Sequence, residues 1–164
     1  MKIILSIFIA SLVVLGGCSA PSQPQGDDNT IKQESPANES SETLDLSQRG
    51  LAKIPGYVFG MRSLKELDVS NNSLSGAIQA EIRQLSNLRV LRASNNQMTG
   101  VPAEIGQLAN LEFLDLSNNQ LTGLPYELGN LQNLKTLNIS GNNYSTADLA
   151  VIEEKLPDSV TIIK

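Results

Sequence analysis

Two columns of side chains in this chain combine chemistry-bearing residue types with a fixed spacing. The first runs Thr43, Glu66, Val90, Phe113, Thr136, and the second Asp45, Asp68, Arg92, Asp115, Asn138. Carboxylates repeated in this way could gather a metal ion or meet cationic groups. A Phe beside an Arg is the combination that protein interfaces use as an anchor. Arg92 interrupts the Asp column, and Asp45 and Asp68 alone make no dense oxygen cluster, so neither a metal nor a cofactor is expected. The chain has no His and one Cys, which removes the commonest general base and any intramolecular disulfide or multi-Cys metal site. No phosphate loop and no G-x-S-x-G elbow is present, so no catalysis is expected.

These columns are spaced by a repeat. Leu111–Leu121 reads L-x-x-L-x-L-x-x-N-x-L at every fixed position. The Asn slot recurs as Asn72, Asn96, Asn119 and Asn142, with Arg49 in the same place upstream, at steps of 23, 24, 23 and 23 residues. Each copy opens with an alternating stretch: Thr43–Ser47, Glu66–Ser70, Val90–Ser94, Phe113–Ser117 and Thr136–Ser140. The apolar pairs Leu44/Leu46, Leu67/Val69, Leu91/Ala93, Leu114/Leu116 and Leu137/Ile139 then share one face of a strand. A buried Asn after each strand can bond both its own turn and the adjacent coil, satisfying groups that would cost about 1–3 kcal/mol each if left unpaired. Arg49 lies in a terminal copy, where a polar outer side is expected.

The return legs repeat as well. Ile54, Ile78, Val101 and Leu124 each precede apolar residues four, seven and ten positions on, and Pro55, Pro102 and Pro125 stand where a short helical turn would start. Gln79 takes the Pro position in the 24-residue copy, which carries a one-residue bulge. After the array, Ser145 or Thr146 can cap a helix over Ala147–Leu156 with Leu149, Ile152 and Leu156 as its apolar stripe. Val160–Ile163 reads as a last strand that covers the open end of the core.

The template resembles the leucine-rich repeat of bacterial proteins, in the typical 23-residue Ras-suppressor-like class, while Leu74–Ile78 looks like the plant receptor-type repeat. The resemblance implies an α/β fold: a right-handed solenoid of five coils, with a parallel sheet on the concave face and short helical or 3-10 turns on the convex face. A C-terminal helix–strand cap completes it. Protein–protein interaction is the role it implies. The third outward column, Ser47, Ser70, Ser94, Ser117 and Ser140, is constant and read as structural. The varied columns are left for recognition: Glu66, Asp68, Val90, Arg92, Phe113, Asp115, Thr136 and Asn138 form the expected partner-binding face. Five strands about 4.8 Å apart give a strip of a few hundred Å², enough for a peptide, glycan or protein loop.

The N-terminus reads as an address. Lys2, the apolar run Ile3–Leu15 and small residues after it form a secretory signal, too short for the roughly 20 residues of a membrane span. Leu15-Gly16-Gly17-Cys18 resembles the bacterial lipobox, which implies lipidation at Cys18 and an envelope anchor, on the outer membrane in a Gram-negative cell; an ordinary signal peptide with an unmodified thiol is the alternative. The expected organisation is a signal peptide at 1–17, lipidated Cys and tether at 18–41, the array at 42–145 and a cap at 146–164. The Ser-, Pro- and acid-rich tether cannot bury enough surface to order itself and would span roughly 25–30 Å. With 17 Asp+Glu against 12 Lys+Arg and no basic stripe, the chain is not expected to bind nucleic acid. A monomer that holds a protein or peptide ligand is expected. A surface-display role without one specific ligand is the second reading.

Overall fold

The computed structural model describes residues 41–164. The expected signal peptide, Cys18 and all of the expected tether except Ser41 lie outside the described residues.

One strand per coil builds a parallel sheet. Strands β1 (Thr43–Asp45), β2 (Glu66–Asp68), β4 (Val90–Arg92), β6 (Phe113–Asp115), β7 (Thr136–Asn138) and β8 (Thr161–Ile163) lie side by side in that order. The register is uniform: Leu44, Leu67, Leu91, Leu114, Leu137 and Ile162 form one rung. From β2 to β7 both members of each inward pair are buried, while Leu44 and Leu46 of the first described strand are half-exposed. The core is almost wholly aliphatic, as a chain with 4% aromatic residues requires.

Each strand has three residues rather than the five that the alternation suggested. A turn at the strand's end shortens it. The side chain of Asp45, Asp68, Asp115 or Asn138 accepts the N–H of the Ser two residues on. The chain then passes through a left-handed residue, at Gln48, Asn71, Asn95, Asn118 and Gly141 with φ between 52 and 68°. Asn and Gly carry the lowest cost there. Coil-to-coil bonding persists beyond the strands, as in Val69 N–H to Arg92 O (2.8 Å) and Asn71 N–H to Ser94 O (3.0 Å).

The return legs form four 3-10 turns: Gly56–Gly60, Ala80–Gln84, Ala103–Gln107 and Tyr126–Asn130. A 3-10 turn rises about 2 Å per residue, so it covers the leg with fewer residues than an α-helix would. Pro55, Pro102 and Pro125 stand one position before the turn, at its N-cap, with ψ between 134 and 145°. Gln79 holds the same conformation without the ring and donates its amide to Ile54 O (2.6 Å) in the preceding coil. The 24-residue copy opens a second, two-stranded sheet, β3 (Ser75–Ala77) on β5 (Gln97–Gly100), whose register slips between Gly76 and Ala77.

Helix α1 (Thr146–Glu153) closes the far end. Ser145 is its N-cap, accepting the Asp148 N–H at 3.2 Å. The helix stops before Leu156, but Leu149, Ile152 and Leu156 are all buried on the last coil. No helix among the described residues is long and apolar enough to cross a membrane.

Candidate functional site

The ladder of asparagines fixes the frame on which the outward residues stand. Asn119 Nδ2 donates to Ala93 O (3.0 Å), Leu116 O (3.0 Å) and Ser117 O (3.1 Å), and its Oδ1 accepts Met98 N–H (3.0 Å). Asn72, Asn96 and Asn142 repeat the arrangement in their coils. Each side chain thus bonds its own turn and the coil before it. Swapping such a donor for an acceptor would oppose several carbonyl oxygens at once.

On the opposite face of the sheet the eight expected contact residues form two rows. One is Glu66–Val90–Phe113–Thr136 and the other Asp68–Arg92–Asp115–Asn138, each residue paired in register with the next. The two rows differ in what the fold uses. In the second row Asp68, Asp115 and Asn138 each give one oxygen to a turn, and Asp115 and Asn138 also accept the hydroxyl of Ser117 (2.7 Å) and Ser140 (2.8 Å). The sequence alone left that column as simply varied; the Asx–x–Ser pattern was its structural signal. The same bonds draw the Asp45 carboxyl below its ordinary value, first through the Ser47 side chain and then through its backbone.

Arg92 is the exception in its row, since a guanidinium cannot accept an N–H. It extends across the strands instead. Its Nη1 lies 3.9 Å from Glu66 Oε2, and its Cζ stands 5.4 Å from the Phe113 ring centre. Val90 and Phe113 are half-buried neighbours in register. The face therefore grades from acidic (Asp45, Glu66, Asp68) through an apolar centre to neutral Thr136 and Asn138.

Two further columns escaped the sequence reading. Asn87, Asn110 and Asn133 donate to the carbonyls of Arg62 (2.8 Å), Ser86 (2.9 Å) and Ala109 (2.8 Å) in the preceding coil, and the Asn-Leu doublet at the repeat spacing was their signal. Just before the strands, Lys65 pairs with Glu42 (2.6 Å), and Glu112 sits between Lys135 (2.6 Å) and Arg89. Those two cations, Lys135 first, hold the Glu112 carboxyl below the ordinary range. No group of three or more acidic or Cys side chains among the described residues is placed to hold a metal ion.

A model of the leucine-rich repeat region matches residues 64–154, more than half of the chain. The chain belongs to the leucine-rich-repeat family. Its fold is accordingly one that typically serves as a protein-binding, non-catalytic scaffold. A solved leucine-rich-repeat protein of Leptospira interrogans is 39% identical, with a TM-score of 0.64 over 68% of this chain and 28% of that one. The ectodomain of the Arabidopsis thaliana receptor kinase SOBIR1 is 30% identical, with a TM-score of 0.59 over 73% of this chain and 65% of that one. The plant peptide hormone receptor RGFR1, solved in complex with RGF2, is 35% identical, with a TM-score of 0.57 over 68% of this chain and 18% of that one. The leucine-rich-repeat chain thus spans less than two thirds of the length of each of these proteins. Among curated proteins, none matches it.

Proposed function

We propose that this leucine-rich-repeat chain is a non-catalytic protein of the bacterial cell envelope that holds a protein or peptide partner against the outward face of its sheet, as a monomer. The observation that carries the reading is Arg92. It stands where the other coils place a turn-closing Asp or Asn, and it reaches Glu66 and Phe113 instead. A residue that gives up the fold's local bond to build a cation–aromatic pair at the centre of a face suits recognition, because interface anchors are enriched in Arg and aromatics. The likeness to a receptor solved with its peptide ligand supports the same reading.

The lipobox-like Leu15-Gly16-Gly17-Cys18 supports attachment through acylated Cys18, with the Ras-suppressor-like repeats lifted from the membrane by the tether. Two experiments test this function. Metabolic labelling with a fatty acid should mark the chain, and Cys18→Ser should abolish the label and release the protein from the membrane fraction. Capture of envelope proteins on immobilised protein should fall with Phe113→Ala and Arg92→Ala and persist with Glu104→Ala on the turn side. Equal capture by all three variants overturns the choice of face.

A further inference from the structure

Resting on that reading of the face, we propose that the partner presents a polyproline-type segment with a basic residue and an apolar residue three positions apart. The basic residue enters the hollow between β1 and β2, and the apolar one lies on Val90 and Phe113.

Charge selects the first element. A hollow of about 210 Å³ opens over β1 and β2, with Thr43 and the carboxylates of Asp45, Glu66 and Asp68 around it and Arg92 at one side. Asp45 and Asp68 each accept a serine N–H at Oδ1, at 2.8 Å in both cases, and remain carboxylates at the rim of the hollow. Glu66 meets Arg92 only loosely, at 3.9 Å. In the two rows of the face, four carboxylates (Asp45, Glu66, Asp68, Asp115) oppose the guanidinium of Arg92, and Arg49 beside Asp45 leaves the balance acidic. A Lys or Arg side chain from a partner would place its charge among these acids. An acidic side chain would be repelled there.

Register selects the second element. Val90 and Phe113 pair directly across β4 and β6, and the Arg92 guanidinium lies over the Phe113 ring, so the centre of the face is apolar. Order in the sheet is β1-β2-β4-β6, which puts the two positions two strand spacings apart, about 10 Å. An extended β-segment crossing the strands returns a side chain to the same face every second residue, at about 7 Å or 14 Å. A polyproline helix returns one every third residue, at about 9 Å. The polyproline spacing fits the site, and the β-spacings miss it.

Fluorescence anisotropy with the full chain and three labelled hexapeptides tests the proposal: Pro-Lys-Pro-Pro-Leu-Pro, its Glu-for-Lys counterpart, and Pro-Lys-Pro-Leu-Pro-Pro with the shorter spacing. The first peptide is expected to bind about tenfold more tightly than the Glu peptide and several-fold more tightly than the short-spaced one. Glu66→Gln combined with Asp45→Asn should reduce the charge preference to about threefold or less, and added salt should weaken it further. Far-ultraviolet circular dichroism unchanged from the parent confirms that this variant is folded. Equal binding of the Lys and Glu peptides, or a preference that survives the double variant, overturns the proposal. If those failures occur while capture of envelope proteins still depends on Phe113, the face stands and only the partner chemistry falls. If capture is also independent of Phe113, the reading of the face falls with it.

Discussion

The guanidinium of Arg92 lies 5.4 Å from the centre of the Phe113 ring, one strand over and two register positions away. This contact is exposed, and exposed cation–aromatic pairs contribute about 0.5–1 kcal/mol. A double-mutant cycle of Arg92→Ala and Phe113→Ala, followed by urea unfolding, should give a coupling in that range and total losses of about 1 kcal/mol or less. The side chains are then available for a partner without being required for folding. A loss of several kcal/mol for either variant would make them core residues.

The ladder behaves oppositely. Asn119→Asp keeps the shape and the acceptor for Met98 N–H but removes the amide that serves Ala93, Leu116 and Ser117 carbonyls. Buried groups left unpaired cost about 1–3 kcal/mol each, and a buried carboxylate facing them costs more. Asn119→Asp should therefore destabilise by roughly 3 kcal/mol or more, about as much as Asn119→Ala. Both are measured by the urea midpoint.

Gly106 permits the close approach of two 3-10 turns. A Cβ at this position would run into the backbone carbonyl of Glu127, and would stand 2.7 Å from both its carbon and its Cβ. Neither turn can yield without shifting a coil. Gly106→Ala should cost about 1–3 kcal/mol by overpacking, although alanine is usually the better residue in a helical turn. Gly56→Ala, with open space around it, should be neutral by comparison.

The acid limb of stability has assigned sources. Glu112, held by Lys135 and Arg89, and Asp45, held by Ser47, are both lowered from ordinary values of 4.5 and 3.8. A lowered carboxyl contributes stability above its unfolded value, and loses it as pH falls through the lower folded value. The melting temperature should therefore hold steady from neutral pH to about the ordinary carboxylate range and decline below it. Glu112→Gln should remove its share of that decline and lower the neutral-pH melting temperature by the same amount, a small one because exposed ion pairs contribute little.

Burial made most of this architecture legible in advance. Leucines at fixed offsets have one means of leaving water together, so the rungs, the return legs and the stripe Leu149, Ile152, Leu156 could be read from spacing alone. Hydrogen bonding was less legible. Asp68 and Asp115 vary with Arg92 in sequence, so they looked free; their turn-closing role depends on a backbone N–H that carries no residue letter. The left-handed positions before each ladder residue are visible as Asn-Asn and Gly-Asn doublets, but Gln48 adopts the same φ without either signal. The ion pairs of Glu112 also cross coils, joining residues 23 apart that only the register brings together.

The central claim is that a partner meets the sheet face at Phe113. A benzophenone amino acid placed at Phe113, and separately at exposed Tyr126 on the turn side, can be photo-activated in intact envelopes. A discrete crosslinked protein or peptide from position 113 and none from position 126 is the predicted result. Adducts from position 126 alone, or from neither, would contradict the account.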